Sequence, residues 1–202
     1  MILMAVAAVA SGLSIPSPTS VFKNGDYPEW AIRENASAGS VFHLAVDPDG
    51  KPIECTNKVL VGNEKLAKEI CRFISRKRLR PATLRDGQKA YAFFDTFVTL
   101  FLPDSKEGEK IMGLRMTPDA QLSVNKLPDG NETQVSILLA YDASGNVIDC
   151  APSDTEENIK LAGVACGQRK LFDNSIQKDG SGQAVSYVTQ RRIKFTVQSP
   201  AK

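Results

Sequence analysis

Between Ser40 and Asp47 the side chains fall on two sides of a two-residue period, Phe42, Leu44 and Val46 on one and Val41, His43 and Ala45 on the other, which predicts a strand. Asp47-Pro48-Asp49-Gly50 has turn chemistry, and Lys51 to Val59 then returns as the second strand of a hairpin carrying Cys55. After Gly62-Asn63 the period changes to that of a helix. Leu66, Ile70, Phe73 and Ile74 form one apolar stripe, with Ala67 and Cys71 beside it at i, i+4, so the helix should lie on the hairpin with Cys71 near Cys55. The helix ends in Arg72, Arg76, Lys77, Arg78 and Arg80, followed by Pro81, which suits a solvated helix end better than a nucleic-acid patch because no stacking residues accompany it. Past an Asp86-Gly87 turn, Ala90 to Leu102 reads as a long strand that is apolar on both faces.

The same pattern returns 95 positions later. Leu44, Ala45, Asp47, Gly50, Ile53, Cys55, Asn63, Lys65, Leu66, Ala67, Cys71, Gly87 and Gln88 meet Leu139, Ala140, Asp142, Gly145, Ile148, Cys150, Asn158, Lys160, Leu161, Ala162, Cys166, Gly182 and Gln183. Such self-similarity predicts a duplicated unit of strand, strand, helix, strand. In the second copy the strands are Val135 to Tyr141 and Val147 to Ala151, and the helix is Glu156 to Gln168. The last strands of the copies differ. Ala92, Phe94, Val98, Leu100 and Leu102 have apolar counterparts in Tyr187, Ile193, Phe195 and Val197, but the other side, Tyr91, Phe93, Phe97 and Phe101, faces a set read as solvated: Ser186, Val188, Gln190, Arg192 and Lys194. The aromatic set therefore needs a cover: the second copy, the N-terminal segment, or a binding partner.

Residues 1–14 open with an apolar run and small residues, including Ala8-Val9-Ala10, and read as an export leader without a basic start. Residues 15–26, rich in Pro, Ser and Gly, read as a linker with nothing to pack. Residues 103–134 carry turn signals around Ile111 to Met116, join the copies, and are expected to supply the second copy's counterpart of the lead-in Tyr27 to Ala38.

At 202 residues the chain suits two small domains, and its net charge of +2 selects no partner. Four cysteines at one recurring spacing point to the disulfides Cys55–Cys71 and Cys150–Cys166, in preference to buried thiols or a metal site, and hence to an oxidising compartment. No metal or cofactor is expected. His43 is the one histidine, and thiol chemistry with it as base is disfavoured because the second copy has Leu138 in its place.

Tyr27-Pro28 with Ala31, Gly39-Ser40-Val41, Val46-Asp47-Pro48-Asp49-Gly50, the helix, Arg78-Leu79-Arg80-Pro81-Ala82, Gly87 and a final apolar strand together resemble the C-terminal domain of TonB-like proteins. Leu79 replaces the family's usual aromatic residue, and Asp173-Asn174-Ser175-Ile176 replaces the Arg78 to Pro81 segment in the second copy. The resemblance implies an α+β fold: two TonB C-terminal-like units, 27–103 and 134–198, each a small antiparallel sheet with one helix, joined by 104–133. It implies a periplasmic, non-catalytic module that holds an extended segment of an envelope or outer-membrane protein by strand addition. Energy transduction in that family needs a membrane helix and a proline-rich arm, and the expectation here is a relative that works without either. Tyr91, Phe93, Phe97 and Phe101 are the candidate partner-binding residues; a homodimer through the same face is the alternative.

Overall fold

A computed structural model of the chain describes residues 12–173 and 175–198. The elements, in order, are α1 (Glu29–Arg33), β1 (Ala38–Val46), β2 (Pro52–Gly62), α2 (Glu64–Ile74), β3 (Ala82–Thr83), β4 (Lys89–Leu100), α3 (Gly108–Met112), β5 (Ala120–Val124), β6 (Glu132–Tyr141), β7 (Val147–Pro152), α4 (Ile159–Gly167), β8 (Gln177–Lys178), β9 (Ala184–Val185) and β10 (Tyr187–Val197). The protein is mixed α+β, with one eight-stranded sheet and four α-helices among the described residues.

Local chemistry explains the boundaries. In the β1–β2 turn the Asp47 carboxylate accepts the N–H groups of Asp49 and Lys51, each at 2.9 Å, and Gly50 takes φ +82°. Asp142 accepts from Ser144 and Asn146 in the same way before β7, and Gly145 takes φ +84°. These are Asx turns closed by a residue in the left-handed region, which glycine enters without a Cβ clash. Asn63 and Asn158 cap α2 and α4, their side-chain oxygens accepting the N–H of Leu66 and Leu161 at 3.0 and 3.1 Å. Both disulfides are formed, Cys55–Cys71 and Cys150–Cys166, each tying a helix to the strand before it across a Cα separation of 5.6 Å.

The strand order is β2-β1-β4-β10-β6-β7, with β3 beside β4 and β5 beside β10. Pairing is antiparallel within β2-β1-β4 and within β10-β6-β7, while β4 and β10 meet in parallel at Tyr91–Tyr187 and Ala92–Val188. The expected separate sheets are therefore one. Corresponding strands that lie side by side in parallel are related by rotation about a line along the strands, and that rotation exchanges the faces of the sheet. Accordingly, α2 packs with Phe42, Leu44, Val46 and Phe94 on one face. On the other face α4 packs with Leu139, Tyr141, Tyr187 and Phe195.

Each helix covers only its own end of its face, and the uncovered ends take their cover from elsewhere in the chain. On the α2 side, Leu138, Ala140 and Val188 lie in the same core as Leu13, with Ile15, Val21 and Phe22 packed against it, and Phe22 stacks on Phe73 at 4.5 Å. This corrects two expectations. Residues 15–26 are packed rather than a tether, and the set from Ser186 to Lys194 is not a wet face: Val188 and Arg192 are buried and Gln190 and Lys194 half-buried. Side chains that alternation alone assigns to solvent are covered here by the N-terminal segment at Val188 and by the contact of Arg192 with β4. The expected leader lies outside the described residues up to position 11; beyond it Leu13 is buried and Ser14 exchanges backbone hydrogen bonds with Thr83 at 3.1 and 3.3 Å.

Residues 103–134 also differ from expectation. They form α3 and β5 in place of a second lead-in, and β5 pairs in parallel with Ile193 to Val197 of β10. Beyond Val188 the strands β4 and β10 separate, and β5 takes the place beside β10 that β4 leaves. No helix among the described residues is long and apolar enough to cross a membrane.

Candidate protein-binding face and edge

Alternate residues of β4 carry the four aromatic side chains singled out above as far as Phe97, and Phe101 follows just after the strand. The structure divides them into two pairs. Phe93 is buried against Tyr187 in an edge-to-face contact at 5.5 Å, Tyr91 stacks on Phe93 at 6.2 Å, and Tyr187 stacks in turn on Tyr141 at 4.6 Å. Such contacts add to the energy of burying the rings, so Tyr91 and Phe93 help to join the two halves. Burial pushes the hydroxyl pKa of Tyr141 up to about 12 and raises that of Tyr187; their O–H groups donate to the carbonyls of Phe172 and Ser175, both at 2.9 Å.

Phe97 and Phe101 remain 42% and 39% exposed. The register sets Val59, Val41 and Phe97 across β2, β1 and β4 on one face, and Val59 is itself exposed. Phe101 lies over Gly108 at the start of α3, and Leu114 lies over Gly39. The result is a half-open apolar strip that starts at the β2 edge and ends under α3.

One rung along the same face the chemistry is polar. Thr56, His43 and Asp95 are aligned across the three strands. The imidazole Nδ1 of His43 lies 2.9 Å from Asp95 Oδ1, and Lys58 Nζ lies 2.6 Å from Oδ2. The hydrogen bond from His43, helped by Lys58, holds the Asp95 carboxyl at about 2, below its usual range, against the opposing effect of burial. Behind Asp95, where β4 and β10 part, the buried Arg192 guanidinium donates to the Asp95 carbonyl at 2.9 Å, and its backbone N–H donates to the Asp119 carboxylate at 2.7 Å. Burial lowers the Arg192 pKa, while Asp119 and Asp95 favour its charge.

All four cysteines are in disulfides and His43 is held by Asp95, so the structure does not bring a thiol to the histidine. Sequence reasoning missed the His43–Asp95–Lys58 cluster. Its signal is Asp95 itself, an acid that interrupts an apolar strand face between Phe93 and Phe97. Arg192 also gave a signal: it stands where the first half has Phe97.

The last element of the site is the edge of the sheet. β2 is an outer strand of eleven residues, and apart from its ends no backbone or side-chain hydrogen bond reaches its outer side among the described residues. The opposite edge, β7, has six residues and ends at Pro152. Just beyond it Ser153 donates to the Ser136 carbonyl, and Glu156 accepts the Ser136 N–H. An unpaired row of N–H and C=O groups is a template for another strand, and length favours β2 over β7. Lys58 and the register shift between Val41 and Phe42 are the features that blunt this edge against indiscriminate pairing.

No protein-family model matches the chain, and neither a search of curated proteins nor one of solved structures finds a match.

Proposed function

We propose that the chain is an exported, periplasmic and non-catalytic protein-binding module made of two TonB C-terminal-like units, 27–103 and 134–198, that share one sheet. It takes an extended segment of an envelope or outer-membrane protein as an added strand along β2, as an accessory to TonB-dependent transport. The observation that carries this reading is the eleven-residue outer edge of β2, which apart from its ends has no backbone partner among the described residues and adjoins the exposed Val59 and Phe97. Backbone hydrogen bonds would supply affinity, and the strip from Val59 to Phe97 would read alternate side chains of the incoming strand. Two disulfides support an oxidising compartment.

Within this reading the four aromatic residues divide their labour. Tyr91 and Phe93 hold the units together, while Phe97 and Phe101 face the partner. A photo-crosslinking side chain at Val59 should capture outer-membrane proteins from envelope extracts, whereas one at Ile148 on β7 should not. A proline in β2 at Val59 should abolish capture while both disulfides still form. Equal capture at the two positions would count against the β2 assignment.

A further inference from the structure

We propose that α4 is the contact surface of a homodimer in which two copies of the chain cross antiparallel through this helix. α2 and α4 occupy corresponding places, yet their outward faces differ in kind. α2 shows Glu64, Lys65, Lys68 and Arg72 to solvent, as a helix with one partner does. α4 (IKLAGVACG) buries Leu161, Ala162 and Ala165 and presents Ile159 and Val164 outward at 57% and 49% exposure. Leu171, in the turn that continues α4, is 64% exposed. A helix with apolar residues on its outward as well as its inward side belongs between two surfaces, and the sheet supplies only one.

Charge identifies the second surface as another copy of the same helix. Asp154 and Glu157 are exposed before α4, and Arg169 and Lys170 are exposed after it, with Lys160 the one charge between. An antiparallel copy therefore sets the acidic end of each helix against the basic end of the other, twice by symmetry, and sets the uncharged middles together. Among the described residues, and apart from the helix's own neighbouring backbone, nothing lies within 4 Å of where a side chain would begin at Gly163 or Gly167, so the second backbone can approach closely there. α4 packs on β6 and β7, at the far end of the sheet from β2, so the dimer leaves the proposed binding edge free and does not depend on it.

A nine-residue helix is about 13 Å long, and this contact is smaller than that of a standard stable complex. The dimer is accordingly weak, with a dissociation constant on the order of 10–100 μM. Sedimentation equilibrium of the oxidised full chain, from low micromolar to near millimolar concentration, should show the mass rising from 21.9 kDa towards twice that value. Val164→Asp should weaken association by roughly tenfold or more by placing a charge in the apolar middle. Glu157→Lys should weaken it, as should Arg169→Glu with Lys170→Glu, and a chain carrying all three changes should dimerise again. All four positions are exposed, so far-UV circular dichroism should not change. A monomer at every concentration overturns the proposal, whatever else α4 then binds. So does a dimer indifferent to these changes, or one lost on Phe97→Asp in place of Val164→Asp.

Discussion

The two halves of this chain share their turn aspartates and glycines, helix caps, disulfides and strand order at a fixed offset of 95 residues, but they do not share a surface. The first half has a charged helix, a polar rung and a long unpaired edge. The second has an apolar helix and a short edge, and its last strand is hemmed in by β4 and β5. The parts that set the fold are the same in both halves, and the differences fall where the proposed contacts of each half lie. The way the halves join also sets the architecture. Because β4 and β10 run parallel, each half turns a different face to its helix, and the cover for the remaining faces comes from the N-terminal segment and the connecting segment.

If the halves are equivalent scaffolds, corresponding core truncations should cost the same. Leu44 and Leu139 are both fully buried, in different cores, and Leu44→Ala or Leu139→Ala should each lose about 3 kcal/mol in urea unfolding. The losses should add in the double mutant. A silent change at either position would break the equivalence. Removing one disulfide by paired Cys→Ser substitution should likewise cost about 3 kcal/mol in either half by the loop-closure estimate. The helices should respond differently, however. α2 is held by Leu66, Ile70 and Ile74, whereas α4 has Leu161, Ala162 and Ala165, so hydrogen exchange should accelerate more in α4 without Cys150–Cys166 than in α2 without Cys55–Cys71.

The turn glycines sharpen the comparison further. A Cβ at Gly50 would run into the backbone carbonyl of Leu79, while one at Gly145 would meet the Ile176 side chain and the Ser175 carbonyl at 2.9 Å. Gly50→Ala should cost about 2 kcal/mol and Gly145→Ala about 1 kcal/mol, since part of the second obstacle can move. The smallest effect separates the halves by pH. Asp95 is depressed to about 2 when folded, so its contribution is present above the unfolded value of 3.8 and is lost as pH falls through 2. Its partial exposure limits that contribution to about 1 kcal/mol. Asp95→Asn should flatten the acid limb of the stability profile between those values. The equivalent position in the second half is Gln190, where substitution should leave that limb unchanged.

The hairpins, helices, last strands and cysteine pairing were legible because each depends on nearby residues: an aspartate and a glycine for the turn, an asparagine for the cap, a period for the face. What was not legible depends on pairings distant in sequence. That β4 would meet β10, and in parallel, is written in no local pattern. From it follow the burial of Val188 and Arg192 and the internal use of Tyr91 and Phe93. Residues 15–26 looked like a tether by composition, yet a few apolar side chains spaced along it, Ile15, Val21 and Phe22, suffice to hold it on the sheet. In the candidate site, Phe97 and Phe101 could be singled out from sequence, but the edge beside them became visible only with the strand order.

Under the proposed function the outer edge of β2 accepts a strand. The decisive experiment is backbone amide hydrogen exchange of the oxidised chain, followed by NMR with and without synthetic extended peptides taken from outer-membrane proteins. Slower exchange confined to the outward-facing amides between Ile53 and Val61, with shift changes at Phe97, is the expected result. Unchanged β2 amides under a peptide that binds elsewhere on the chain would contradict it.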